Sequence, residues 1–548
     1  MINRKEVYQK NILSSIPKLL TLFDRDSCSL TYGSFDRQHW AWANKEFANV
    51  DFQRGIYVLV LLFVKEFSKN IYYKNKYVLK CILSGFRYWV YLQNKNGSFN
   101  QWYAYENSVG STGFTLCSLT EAFLLVQEEI PNVQKESLLS AFDKAADFIC
   151  LQRESHGFIS NHLAGIALGL LNAAAILNNK KYLNKSNEII EKILKHQSKE
   201  GWYREYEGAD PGYETLGISY LAKYWKSTHS AELLKSLEKS LNYLIYFVHP
   251  DGTLGGEYGS RNTELYYPSG IEALSDYLPQ SEYIANKMII GIKEERLSLP
   301  LTTDIFNFIP LLISYVEAYN ELNHNVSKSS GNIKLNNFKY FDESKIAVWT
   351  NDKHKIIIGI SKGGIIRCYK NNGNMLYSDC GYVARLENGS KISSQFIDYN
   401  IDCNVTSRGC KLERYFSYVS EHQMSPTTFI LFEIFMLLAG RYIKIGNWIK
   451  NLLANRLIRY KKTAPLSIVR SIKIFETKLV IEDHLKIKKK NIIKELIRKS
   501  KFSTIFMGSS RYFNPQELFQ DDERIDGQEL KFLNGQRFIK LVKEVTLD

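Results

Sequence analysis

Leu92-Gln93-Asn94-Lys95-Asn96-Gly97-Ser98-Phe99 closes a helix-like run with a glycine-centred turn, and the same device returns three times. Leu151-Gln152-Arg153-Glu154-Ser155-His156-Gly157-Phe158, His196-Gln197-Ser198-Lys199-Glu200-Gly201-Trp202-Tyr203 and Val248-His249-Pro250-Asp251-Gly252-Thr253-Leu254 follow, their glycines 60, 44 and 51 residues apart. That spacing suits a helical hairpin repeated with variation, each unit burying one face on its neighbour. Repetition also fixes direction. Equivalent loops of stacked hairpins fall on one rim, so the groups that follow each glycine are expected around one mouth.

Working outward, residues 1–322 read as helical. Gly55 to Phe67, Leu138 to Gln152, His162 to Leu177, Ser186 to His196 and Ala231 to Val248 repeat apolar residues at three and four. Small residues such as Ala164-Gly165-Ile166-Ala167-Leu168-Gly169 allow close backbone approach, and a closed α/α toroid fits better than an open solenoid. A polar stretch over 323–337 is expected as a linker. Beyond it, 338–548 alternates β-branched runs (Lys345 to Trp349, Lys355 to Ile360, Gly364 to Tyr369, Lys478 to Ile481) with turn signals such as Asn371-Asn372-Gly373-Asn374. These predict a large antiparallel β-sandwich, interrupted by a helical insertion at about 428–459.

With 548 residues, 45% of them hydrophobic, the chain has material for two cores. The 35 Tyr, 30 Phe and 8 Trp suit core filling first and sugar stacking second. A formal charge of +14 points to an anionic partner: an acidic polysaccharide, a nucleic acid or a membrane surface. Nucleic acid has only that charge behind it. Peripheral membrane contact rests on Phe429 to Gly440, about half the length needed to span a bilayer and carrying Glu433. The eight cysteines form no CxxC pair and read as thiols of a reducing compartment. With no apolar leader read at the start, a cytoplasmic location is the default expectation and a periplasmic one the alternative. No HExxH, HxH, GxxxxGK[ST], GxGxxG after a strand, GxSxG or DxDD appears, so no metal and no cofactor are expected.

The rim groups are specific. Gly97 is followed by Trp102, Tyr103 and Glu106; Gly157 by Asn161 and His162; Gly201 by Trp202, Glu205, Tyr206, Asp210 and Tyr213; Gly252 by Glu257, Tyr258, Arg261 and Asn262. Asn161 opens an apolar helix, where an N-cap role and an amide donor to a substrate carboxylate are both compatible with it. His162 beside it is a candidate proton carrier. Tyr213, in a Gly/Pro turn at a helix start, is either a packing aromatic or an acid–base near Arg261. Arg261 either ties its own loop to a glutamate or grips a carboxylate. Asn161, His162, Tyr213 and Arg261 are taken as catalytic candidates. Trp102, Tyr103, Glu106, Trp202, Glu205, Tyr206, Glu257, Tyr258 and Asn262 are taken as substrate-binding candidates.

A helical toroid followed by a β-sandwich, with Asn161-His162 on one helix and Tyr213 some 50 residues on, resembles the heparinase II/III-like polysaccharide lyases. The resemblance implies β-elimination on a uronic-acid-containing glycan. Asn161 would then neutralise the uronate and His162 would be the base for one C5 epimer. Tyr213 would be the acid, and also the base for the other epimer. Arg261 has no family counterpart. The sandwich histidine usual in these lyases is absent from Asp379-Cys380-Gly381-Tyr382 and Ile392 to Phe396, so either the neutralising role has passed to Arg261 or Asn262, or the activity is lost or changed. A link to bacterial surface-polysaccharide or O-antigen production is a further expectation. Two other readings stay open: a glycoside hydrolase using two of Glu106, Glu205, Glu257 and Asp210, and a non-catalytic glycan-binding or assembly protein.

Overall fold

The computed structural model describes residues 2–152, 157–206, 208–322, 333–419, 425–440, 442–454, 462–501, 518 and 521–547. Parts of the second glycine turn (153–156), the expected linker (323–332) and the expected insertion (441 and 455–459) lie outside the described residues.

The first half is helical: α1 (Arg4–Leu22), α2 (Arg37–Trp40), α3 (Gly55–Val64), α4 (Lys76–Leu92), α5 (Val109–Val126), α6 (Asn132–Leu151), α7 (Ser160–Leu177), α8 (Lys180–Lys195), α9 (Pro211–Thr228), α10 (Ala231–Leu244), α11 (Ser269–Leu274), α12 (Pro279–Lys293) and α13 (Ile305–Glu321). The odd-numbered helices from α3 onward touch in chain order, and α13 returns to α3. The ring is closed. Around it run α1 and the even-numbered helices from α4, with α12 meeting α1. Composition sorts the two layers. α3 (GIYVLVLLFV) is apolar on every side and buried along nearly its whole length, as an inner helix must be. α8 buries Ile189, Ile190 and Ile193 and keeps its lysines outside.

Each glycine turn leads from an outer helix to the start of the next inner one. Gly97, Gly201 and Gly252 take φ of +86°, +110° and +79°, backbone that side chains resist. A Cβ on Gly97 would lie 2.1 Å from Lys144 O, and one on Gly201 2.2 Å from Lys239 O. Gln93 and Gln197, four residues earlier, repeat one brace. Each Nε2 donates across its own turn, to Gly97 O (3.1 Å) or Gly201 O (2.6 Å), and to the next outer helix at Ala141 O or Ser236 O. The turns thus lock outer helices in place and deliver their polar residues to the N-terminal ends of inner helices, on one rim.

The second half forms two antiparallel sheets. The first, in spatial order, is β1 (Phe338–Phe341), β2 (Ile346–Thr350), β3 (His354–Gly359), β4 (Ile365–Lys370) and β5 (Met375–Asp379). The second contains β6 (Tyr382–Leu386), β7 (Lys391–Ser393), β8 (Asp402–Thr406), β9 (Gly409–Tyr418), β10 (Thr463–Ile474), β11 (Lys478–Ile487), β12 (Ile493–Arg498), β13 (Glu523–Arg524) and β14 (Phe538–Thr546), in the order β13-β12-β6-β7-β9-β10-β11-β14 with β8 on β9. Period-two alternation serves two cores. Ile346, Val348 and Ile357 face the toroid with Tyr243, Phe247 and Tyr258, while Ala347, Trp349, Ile356 and Ile358 face Leu412, Ile472 and Ile481 of the second sheet. Helices α14 (Pro426–Phe435) and α15 (Ile443–Ala454) fill the gap between β9 and β10, and α16 (Gly527–Gln536) precedes β14. All eight cysteines are unbridged, Cys403 and Cys410 included.

Candidate active site at the toroid rim

Two inner helices build the centre. On α9, Asp210 caps the start by accepting from the Tyr213 N–H (3.0 Å), with Pro211 at the first turn. The other carboxylate oxygen of Asp210 accepts from the backbone N–H of Arg261 (2.7 Å), which pins the two candidate loops together. On α7 the cap differs from the sequence expectation. The N-cap is Ile159, and Asn161 lies inside the first turn. Its backbone N–H and its side-chain Nδ2 both donate to Glu205, at 2.9 and 2.7 Å. A carboxyl from the next loop therefore replaces the missing cap and fixes the amide. Gly217, one turn beyond Tyr213, faces Asn161 of α7, where an added Cβ would make ordinary contact at 3.8 Å from its Cα.

Arg261 closes the group. Its guanidinium lies over the Tyr206 ring at 4.3 Å and 5.8 Å from the Tyr213 ring centroid. Burial opposes its charge, but Tyr213, Tyr206, Asp210 and Glu205 outweigh that and raise its pKa. Its Nε is buried without a hydrogen-bond partner among the described residues. Burial also pushes the Glu205 carboxyl well above the glutamate range, against the Asn161 hydrogen bond and with help from Asp210 and Glu214. A cation, a phenol and an amide thus cluster about the Glu205 carboxyl.

His162, next to Asn161, meets Phe114 of α5 edge-on at 5.0 Å. Phe114 also stacks on Tyr220 and lies under Arg54, whose NH2 donates to Tyr220 Oη (2.9 Å). Half-buried Asp51 lies in the field of both Arg54 and His162. Burial raises its pKa, and its Oδ1 has no partner among the described residues. Asp51 and Arg54 were not singled out in the sequence, because they precede the first glycine turn. Their only signal is an acid and a base three apart before an apolar helix.

The remaining candidates divide. Tyr206 joins the basin, in a left-handed conformation (φ +58°). Trp102 is 59% exposed against Phe306, and Tyr103 meets Phe432 of α14 at 5.1 Å. Glu106 accepts from the Gln101 and Trp102 N–H groups and so shapes their loop. Trp202, Glu257 and Tyr258 are placed instead in the contact between toroid and first sheet. Trp202 donates to Glu200, whose carboxylate also holds the Glu343 and Ser344 amides. Tyr258 is paired with His249 Nε2 (2.8 Å). Glu257 is ion-paired with Arg367 of β4; burial alone would raise its pKa, but Arg367 and then Lys501 hold it down to about 2. Asn262 accepts from Lys362 of the sandwich. The sandwich reaches the rim through Tyr399, whose Oη abuts Gly208, 1.6 Å from where a Cβ would stand.

Residues 67–270 match the family model of the ulvan lyase N-terminal domain. No curated protein matches the chain. Among solved structures, a chondroitin AC lyase of Streptomyces coelicolor A3, in complex with chondroitin sulphate, superposes over 90% of this chain and 68% of its own at a TM-score of 0.58 and 8% identity. A heparinase III covers 100% of this chain and 83% of its own at 0.44 and 10%. Toroid, sandwich and their order along the chain agree with the first of these. The toroid thus carries a match to the ulvan lyase N-terminal domain, and the chain as a whole has the toroid-plus-sandwich fold of the chondroitin AC lyase.

Proposed function

We propose that the protein cleaves a uronic-acid-containing glycan by β-elimination at this rim. The observation that carries the reading is the shared basin of Arg261, Tyr206, Tyr213 and the Glu205-held Asn161. In the reaction a base removes the proton at C5, electrons move to form the C4–C5 double bond, and the C4–O bond breaks as the leaving oxygen takes a proton. Charge builds on the uronate as an enolate. Arg261 and the Asn161 amide are donors for that charge, and one such donor contributes about 3–4 kcal/mol. Tyr213 is the acid for the leaving oxygen. His162 or Tyr213 is the base, according to the epimer. The inner helices add their N-terminal dipole ends on the same side of the ring.

The hydrolase reading needs two carboxylates for the sugar. Glu106, Glu205, Glu257 and Asp210 are instead engaged with backbone amides, an asparagine or an arginine. The test is to offer ulvan, chondroitin sulphate and other uronate polymers to the wild type and to Tyr213→Phe. New reducing ends accompanied by the absorbance of an unsaturated uronide, and lost in the variant, support the lyase. Reducing ends without that absorbance select hydrolysis. Binding without either product selects a glycan-binding protein.

A further inference from the structure

Helices α14 and α15 are built inside out. On α14 and the π-helical turn that follows it, Phe432 and Met436, four apart, point to the protein, and Met436 is buried. The other face is apolar and open to solvent: Leu431 is 62%, Leu437 55% and Leu438 65% exposed. On α15, Trp448 is 60% and Leu452 47% exposed. Soluble proteins rarely leave so many large apolar groups on one hairpin unless something covers them. Among the described residues, no sheet strand pairs with α14 or α15, and their ring contact with the toroid is Phe432 on Tyr103.

Charge says what covers it. From Pro426 to Lys462 the sequence carries seven Lys and Arg against one acid, Glu433. Burial and then Glu46 raise the pKa of Glu433. Tyr442 and Trp448 are 57% and 60% exposed, and such amphipathic rings suit a membrane–water boundary. The apolar stretch Pro426–Gly440 is too short to span a bilayer, which takes about 20 residues, but suits a helix lying in its surface. By contrast, the longer apolar helices α5 and α7 are mostly buried inside the ring.

We propose that the α14–α15 hairpin docks the protein on a bilayer rich in anionic lipid. Apolar side chains enter the acyl boundary and the basic residues meet the headgroups. Because Phe432 rests on Tyr103, the docked face adjoins the rim loop that follows Gly97, and the toroid mouth is held near the lipid surface. Docking is independent of the lyase chemistry, so vesicle binding reads it whether or not the chain cleaves a glycan.

The test is co-flotation of the full chain with phosphatidylcholine vesicles, with and without phosphatidylglycerol, alongside Leu437→Ser/Leu438→Ser and Lys444→Glu variants. Unfolding midpoints serve as the fold control. Binding to phosphatidylglycerol vesicles is expected, weakened by salt, with a blue shift of tryptophan emission. The double serine variant should bind at least tenfold more weakly, and Lys444→Glu, a substitution at an exposed position, should weaken binding without lowering the midpoint. Three results would overturn the proposal: no binding at low salt, equal binding by all three proteins, or a stable dimer that depends on Leu437 and Leu438. The last would assign the face to a second copy of the chain.

Discussion

In the proposed elimination Arg261 and Tyr213 would carry different parts of the reaction, and single substitutions should separate them. Tyr213→Phe keeps the ring beneath Arg261 and removes only the hydroxyl, so kcat should fall by about 10²–10⁴ with little change in KM. Arg261→Lys keeps the charge but loses the planar fork and its stacking on Tyr206, so kcat/KM should fall at least tenfold. Steady-state kinetics on a cleaved uronate polymer checks both. Buried Glu214 gives a pH signature: desolvation pushes its pKa up to about 8, against hydrogen bonds from Ser240 and the Tyr203 N–H. The folded chain holds that proton more tightly than the unfolded one. The linked stability is therefore full below about pH 4.5 and is lost as pH rises through about 8. Glu214→Gln should remove that slope, so the wild type loses Tm between about pH 5 and about pH 8 relative to the variant, as read by thermal melts.

Elements explain why part of this was legible in sequence. At three of the outer-to-inner junctions the backbone takes positive φ beside a neighbouring helix, which only glycine meets cheaply, so Gly97, Gly201 and Gly252 mark the repeat. Tyr213 and Arg261 follow two of these glycines onto the rim, and Asn161 follows Gly157. The cap of α7 could not be read locally, since its acceptor, Glu205, is 44 residues on. The hairpin of α14 and α15 was visible as an apolar insertion, but its outward-facing leucines depend on which side meets Tyr103. Close packing of the ring makes its own prediction. A Cβ on Gly270 would lie 2.6 Å from Ser219 Cα and N, so Gly270→Ala should cost about 1–3 kcal/mol in denaturant unfolding. Gly535→Ala, with open space around the added carbon, should leave stability unchanged or raise it by up to about 1 kcal/mol.

Across the whole molecule, the sandwich sets the rim loops that the toroid presents. Glu257 pairs with Arg367, 110 residues away, and Asn262 with Lys362, so half of the fourth loop faces a sheet and half faces the basin. Sequence spacing within the toroid carries no trace of that division, which is why Trp202, Glu257 and Tyr258 read as rim groups. The sandwich is itself tied by buried charge. Arg470 is fully buried and donates to Asp483 at 2.8 and 2.9 Å and to Asp379 at 3.2 Å. Arg470→Met leaves Asp379 and Asp483 to the more distant Arg498, at 3.8 and 3.3 Å, and should cost about 3–5 kcal/mol of stability, measured in denaturant, even though the rim is untouched. The central claim is that bond cleavage at the rim is an elimination that takes up no water. The most direct measurement is the mass of both fragments released from one defined uronate oligosaccharide. They should sum to the mass of the intact substrate, and a sum larger by one water would contradict the account.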